Sequence, residues 1–356
     1  MKVKVAYFYI FIFVMKYNEI EYKKPFFKIQ EPLNQYLIEY SRSLKIPLQY
    51  EDLLRYSDLI PLENEAGEPT LWNRVIYSSG DMDFLHEGLV EIYRLLISDG
   101  SKVDHLIVDG VDFCGYGNSK PFRIKILNQL NDNYDYYYIK IADASRIYGL
   151  ELEHHFAPNK INYIYYQSTI VEEHIIGVPG DQFLKEMNSK KRVVNEVKLA
   201  KEFVKFNEQC FVRLLGDMRA YNYVIVVTQD FDQKQYRVRA MDFDQQSFEK
   251  RCKMYLPQFY VDNLFYVEMV QRAIPYQTIE QYRREEKSLL KKRYLNDKYQ
   301  IDALLKVMKQ DKISFTENVK YLSKELAKYH QEPSFLECKS MGDIVEKNIK
   351  LMLGLD

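Results

Sequence analysis

The spacing of apolar positions changes character along the chain. Up to residue 100 the period is helical. Leu33, Tyr36, Leu37 and Tyr40 recur on one face of LNQYLIEYSRSL (33–44), with Ser41 and Leu44 continuing it. Phe84, Leu85, Leu89, Ile92, Leu95 and Leu96 give a second helix within 78–100 its inward face, with Gly100 as the stop. Pro61 and ENEAGEPT (63–70) interrupt the pattern and predict an exposed loop. After Gly100 short β-branched and aromatic runs take over: HLIVDGVDF (105–113), FRIKIL (122–127), YYYIKIA (136–142) and INYIYYQST (161–169). CGYGNSKP and NQLNDNYD between the first three are turn compositions, and ASRIYGLELEHHF (144–156) is a helical interruption before Pro158. TIVEEHIIGVPG (169–180) ends in a rigid Gly-Val-Pro-Gly turn. From 181 onward helices dominate, apart from a hairpin formed by NYVIVVTQ (222–229) and QYRVRAMDF (235–243) around DFDQK. No internal repeat or heptad array is visible.

Composition narrows the class. At roughly 150 residues per domain, 356 residues make two domains or one with a large addition. The 47% hydrophobic content rules out a disordered chain. Fifty basic against fifty-one acidic residues leave no global field to recruit nucleic acid or membrane. Cys114, Cys210, Cys252 and Cys338 are far apart, which excludes a zinc ribbon, a CxxC redox site and a disulfide scaffold; reduced thiols in a cytoplasmic protein are expected. The abundance of Tyr (31) and Phe (20) beside Lys, Asn and Ile is explained by AT-rich codons more cheaply than by an aromatic binding surface. At the N-terminus Val5 to Val14 is apolar between Lys2, Lys4 and Lys16, and a membrane span needs about 20 such residues. Three readings stand for it: translation starting at Met15 or a tail, a buried strand, or a signal or anchor without a small-residue cleavage pattern. No other segment is long enough to cross a membrane.

The chemistry is narrowed by what is missing. There is no GxxxxGK followed by Ser or Thr, no HExxH, no GxSxG and no strand-borne GxGxxG. His154 and His155 are adjacent, so on a helix they diverge and make no two-histidine metal face. RREEKSLLKKR (283–293) reads as a solvated helical face, its run of charge broken by Glu285 and Glu286. The informative stretch is 211–248. Asp217 is followed five residues later by Asn222, then by the hairpin, then by Asp242 in MDFD. Phosphoryl transfer needs one carboxylate to orient the acceptor hydroxyl and a few hard oxygens to hold Mg²⁺ on the nucleotide phosphates. Asp217 can do the first; Asn222 and Asp242 can do the second.

On these residues the sequence resembles the protein-kinase-like superfamily, and within it the aminoglycoside and choline phosphotransferases. Gly216-Asp217 with Asn222 matches the catalytic loop of that branch, and Asp242-Phe243-Asp244 matches its metal-binding segment. The resemblance implies that Asp217 is the catalytic base, that Asn222 and Asp242 are metal ligands, with Asp244 as a helper, and that ATP and Mg²⁺ are the cofactors. It further implies that Lys140 in YYIKIA is the phosphate-binding lysine, with Lys125 as a rival, and that a helix glutamate, Glu151 or else Glu153, pairs with it. Gly115 and Gly117 in CGYGNSKP would form the glycine-rich hairpin. HIIGVPGDQF (174–183) would be the hinge, with Glu172, Glu173 or His174 near the adenine. The likeness covers roughly residues 103 to 275. It departs from the family at Leu215, where histidine is usual, at Lys120 in place of the third glycine, and in the extended hairpin between Asn222 and Asp242.

The expected fold is therefore α+β: an apolar extension (1–15), a helical N-terminal region (16–102), a kinase-like N-lobe (103–180) and a helical C-lobe (181–356) with an internal hairpin (222–243). The expected function is ATP- and Mg²⁺-dependent phosphotransfer to a hydroxyl acceptor that the sequence does not identify. A catalytically inactive nucleotide- or partner-binding protein is one alternative. An interaction protein docking a basic helix on nucleic acid is another, though strong nucleic-acid binding is not expected.

Overall fold

The computed structural model describes residues 24–64, 67–97, 105–116, 118–189, 191–231 and 233–355. The apolar run Val5–Val14, Gly100 and Gly117 lie outside them. In chain order the elements are α1 (Glu31–Glu39), β1 (Asp58–Glu63), β2 (Pro69–Ile76), α2 (Ser79–Ile97), β3 (Leu106–Phe113), β4 (Phe122–Asn128), β5 (Tyr134–Ile141), α3 (Ala144–Phe156), β6 (Tyr163–Tyr166), β7 (Thr169–Glu173) and β8 (Val178–Pro179). Then follow α4 (Gly180–Asn188), α5 (Glu196–Arg213), β9 (Tyr223–Asp230), β10 (Gln233–Ala240), α6 (Leu264–Ala273), α7 (Tyr276–Asn296), α8 (Lys298–Gln310), α9 (Thr316–His330) and α10 (Met341–Leu353).

Seven strands form one antiparallel sheet in the order β1-β2-β3-β4-β5-β7-β6, and three form a second, β10-β9-β8. The first sheet heads a β-rich lobe; the second lies within a helical lobe. The fold is α+β. Strand alternation sets its two faces. Tyr137, Ile139 and Val171 point to a core shared with Leu85, Leu89, Ile92 and Leu96 of α2. Each such buried aliphatic side chain is worth about 1.5–3 kcal/mol. Tyr138, Lys140 and Glu172 point the other way, toward α3, with Tyr138 directly opposite Glu172 in the ladder.

The N-terminal region is less helical than its pattern predicts. β1 and β2 form a hairpin over residues 58–76 and extend the sheet, β2 pairing with β3 at Asn73↔Phe113 and Arg74↔Asp112. These strands are mostly exposed, and only Val75 among them is buried, so they carry little alternation to read. The predicted loop at 63–70 contains their turn, where Asn64 N–H donates to the Glu68 carbonyl at 2.9 Å. Phe84 was expected to face inward but is 57% exposed. The buried stripe follows Leu85, Leu89, Ile92 and Leu96, and Phe84 falls one step off it. Likewise α1 ends at Glu39, so Ser41 and Leu44 continue no helical face and are exposed.

α3 lies between sheet and helical lobe and is buried almost all round. Its N-cap, Asp143, accepts from the N–H groups of Ser145 (2.9 Å) and Arg146 (3.3 Å). The same carboxylate also takes Lys24 Nζ and the Phe27 N–H, each at 2.8 Å, so the start of the described chain is strapped to the start of this helix.

Candidate active site at the lobe junction

Three segments bring Asp217, Asn222, Asp242, Asp244 and Lys140 to one junction. The first is the loop after α5. Leu214 leaves the helix in the left-handed conformation (φ 54°), and Asp217 repeats it (φ 56°), a strained geometry for both. Ser247 N–H donates to the Leu214 carbonyl at 2.9 Å, and Leu215 forms a β-bridge with Gln246. This backbone pairing anchors the loop at Leu214 and Leu215. Gly216 lies close to the same segment: a Cβ there would sit 3.0 Å from the Gln245 carbonyl oxygen.

Asp217 is buried, and its backbone N–H donates to Tyr260 Oη at 2.9 Å. Arg219 Nε donates to Asp217 Oδ1 at 3.0 Å, and Asn222 Nδ2 donates to its carbonyl at 2.7 Å and to Oδ2 at 3.2 Å. Burial pushes the carboxyl up to about 6, against the pull of Arg219. A carboxylate poised there suits a general base working near neutral pH.

The second segment follows β10. Met241 N–H donates to the Asn222 carbonyl at 3.1 Å, which sets Asn222 beside Asp242. Asp244 N–H donates to Asp242 Oδ1 at 3.1 Å, folding the two acidic residues toward each other. A desolvating position and the Asp244 carboxylate push Asp242 up, against Arg146, although 35% of its side chain still meets solvent.

The third segment is the sheet with α3. Lys140 Nζ, on β5, donates to Glu172 Oε2, on β7, at 2.9 Å. Arg146, one turn into α3, binds the same carboxylate through Nε and through Nη2 (2.8 Å). Its Nη1 reaches Asp242 Oδ1 at 2.9 Å and Asp244 Oδ1 at 2.7 Å. Burial alone would raise Glu172, but Arg146 and Lys140 hold it at about 2. Burial and then Arg146 lower Lys140, against the attraction of Glu172. One ionic chain therefore runs from the sheet to the acidic pair.

Some expectations are corrected. Lys140 pairs with Glu172, not with Glu151 or Glu153. Glu151 points to Arg42 Nε (2.8 Å), Tyr36 Oη (2.9 Å) and Tyr163 Oη (2.6 Å), and Glu153 to Arg213. Both lie further along α3, where the helix faces the N-terminal strap and α5 instead of β5. Glu172 is thus an ion-pair partner, while Glu173 lies on the opposite sheet face and takes Asn162 Nδ2 at 2.9 Å. His174 Nδ1 meets Tyr138 Oη at 3.0 Å. Gly115 sits in the exposed β3–β4 loop, where a Cβ would meet only the Phe113 ring at 3.6 Å, so nothing there demands glycine. Lys125 pairs with Asp109 at 2.7 Å near the surface and is no rival to buried Lys140. Arg146 and Arg219 escaped the sequence reading altogether. The one available signal for Arg146 was an arginine in the first turn of a helix beginning four residues after Lys140.

Among the described residues no three His, Cys, Asp or Glu side chains converge as a metal centre of that kind would require. The set on offer is two carboxylates and an amide, Asp242, Asp244 and Asn222. With Asn222 Nδ2 committed to Asp217, the amide oxygen is the atom left to bind. That set fits Mg²⁺, which takes few protein oxygens and keeps water or phosphate for the rest of its shell. Only Oδ1 of each aspartate meets Arg146, which leaves each Oδ2.

No model of a protein family matches the chain, and no curated protein matches it. Among solved structures it is similar to a Plasmodium vivax ethanolamine kinase at 9% identity and a TM-score of 0.23, over 78% of this chain and 89% of that one. A likeness that slight carries nothing further, and the site is read from its own geometry. No helix among the described residues is long and apolar enough to cross a membrane.

Proposed function

We propose that the chain is a nucleotide-dependent phosphotransferase of kinase-like fold, acting on a hydroxyl acceptor. The observation that carries this reading is the meeting of Asp217, with its carboxyl raised to about 6, and the Asn222–Asp242 pair at one junction, where Asn222 Nδ2 donates to Asp217 and Met241 N–H donates to the Asn222 carbonyl. Asp217 is placed to accept the acceptor's proton, and Arg219 and Asn222 hold its carboxylate in one orientation. Lys140 and Arg146 supply fixed positive charge for phosphate oxygens, in a buried setting where it acts strongly. Asp242, Asp244 and Asn222 would hold Mg²⁺, which neutralises phosphate charge when bound.

A second reading, nucleotide binding without turnover, is favoured by the engagement of both aspartates by Arg146. Melting temperature measured with ATP, with and without Mg²⁺, tests the nucleotide site by mass action. A metal-dependent rise that Asp242→Asn abolishes supports both readings, and no rise at millimolar ATP with Mg²⁺ defeats both. Turnover in the wild type then decides for the first.

A further inference from the structure

Glu172, Asp242 and Asp244 face Lys140 and Arg146, so the ionic chain has three negative groups and two positive ones. The second cation stands where a metal would be held. We propose that Arg146 is the resident counter-cation of Asp242 and Asp244, so that a divalent ion enters the site together with a nucleotide's phosphates and not ahead of them. The proposal rests on the nucleotide-site reading above and adds to it an order of binding.

Arg146 cannot step aside for a bare ion. Its side chain is 1% exposed and is gripped by Glu172 through Nε and Nη2, which leaves Nη1 alone for the aspartates. A planar guanidinium held at two donors has little freedom to turn the third. The helix beneath it is also fixed. Its N-cap Asp143 binds Lys24 and the Phe27 N–H, and Gly149 lies against the Asp242-Phe243-Asp244 segment so closely that a Cβ would come within 2.8 Å of Phe243 Cβ. Arginine, helix and acidic pair therefore hold one arrangement.

A divalent ion held by Asp242 and Asp244 would meet the guanidinium already bound to both and be repelled by it. Phosphate oxygens reverse the sign of that encounter. They bring negative charge that attracts Arg146 and Lys140, and they supply the remaining metal ligands.

The test is Mn²⁺ binding to the full chain, followed by electron paramagnetic resonance with and without a non-hydrolysable ATP analogue. Wild type is expected to bind Mn²⁺ weakly alone and far more tightly with the analogue. Arg146→Met should raise the affinity for Mn²⁺ without nucleotide by at least about tenfold, and Arg146→Lys, which keeps the charge, should stay near wild type. An unchanged Mn²⁺ affinity in folded Arg146→Met, with the analogue still bound, overturns this inference alone. Tight Mn²⁺ binding to wild type without nucleotide overturns it even if the Met variant does not fold. Failure of the analogue to bind at all overturns the nucleotide reading and this inference with it.

Discussion

Gly149 of α3 and Phe243, between the two acidic residues of the candidate metal segment, approach so closely that a Cβ on the glycine would lie 2.8 Å from Phe243 Cβ and 3.2 Å from Gln246 Cβ. The helix carrying Arg146 and the segment carrying Asp242 and Asp244 thus share a contact with no room for a methyl group. Gly149→Ala should gain about 1 kcal/mol of helix propensity. Against that stands overpacking of roughly 1–3 kcal/mol, so a net loss is expected in urea unfolding. The same variant should weaken nucleotide binding, because separating helix and segment draws Arg146 from the aspartates. A more stable protein with unchanged nucleotide affinity would show the contact to be slack.

Asp217 gives a prediction with two signs. Its carboxyl is raised to about 6 from an ordinary value of 3.8, so the folded state prefers it protonated. Stability from that preference is full below about 3.8 and is lost as pH rises through 6. At pH 8 the buried carboxylate is therefore a cost, and Asp217→Asn should stabilise the protein there by about 1–3 kcal/mol, with the gain fading below pH 4. Turnover should move the other way. A general base of this kind is worth about 10²–10⁴-fold, so the variant should lose that much while still binding nucleotide, and wild-type activity should fall as pH drops through 6. Equal rates in the two proteins would make Asp217 a loop residue only.

Glu172 and Glu151 separate what sequence and structure assign to Lys140. Removing one partner of a buried ion pair costs about 3–5 kcal/mol, and both glutamates are buried and paired. Glu172→Gln and Glu151→Gln should both lower the urea midpoint, yet only Glu172→Gln should change nucleotide affinity. Arg146 and Lys140 hold Glu172 at about 2, so its stabilising effect is full above about 4.5 and disappears as pH falls toward 2. Wild type should accordingly lose more stability than Glu172→Gln across that interval, as read from urea midpoints.

Much of this site was legible in sequence because its residues are near neighbours in the chain. Asp217 and Asn222 share one loop, and the β9–β10 hairpin, paired without a break from Gln233↔Asp230 to Ala240↔Tyr223, returns Asp242 to Asn222. The helix at 144–156, closed by Pro158, and the strand bearing Lys140, in a β-branched and aromatic run, were likewise plain from residue type. The partner of Lys140 was not, because β7 lies beside β5 across the helix that separates them in sequence. On an ordinary helix charged residues such as Arg146, Glu151 and Glu153 would each point to solvent. Here each is buried and neutralised by a different distant segment, and periodicity holds no trace of that choice. The β1–β2 hairpin was missed for the opposite reason, since exposed strands at the end of a sheet need no apolar alternation.

The basic run in α7 supplies the last prediction. Most of its charges are answered inside the chain. Lys287 Nζ lies 3.4 Å from Glu208, and Arg283 is paired with Glu208 (3.3 Å) and Glu280 (2.6 Å). Arg293 donates to the Phe156 carbonyl at 2.8 Å and lies 3.6 Å from Glu286, and Lys291 donates to the Gly354 carbonyl at 2.7 Å. A surface that tracks phosphates needs cations free to release counterions, and six such contacts would cost roughly a thousandfold in affinity between 50 and 200 mM salt. These side chains hold α7 to its neighbours instead. Duplex DNA or RNA should bind no tighter than the micromolar range near 150 mM salt. Replacing Lys291, Lys292 and Arg293 with serine should leave that weak binding nearly unchanged while lowering the urea midpoint, because Phe156 at the end of α3 loses its donor. Nanomolar binding in fluorescence anisotropy, steep in salt and lost in the triple variant, would instead make α7 a nucleic-acid surface.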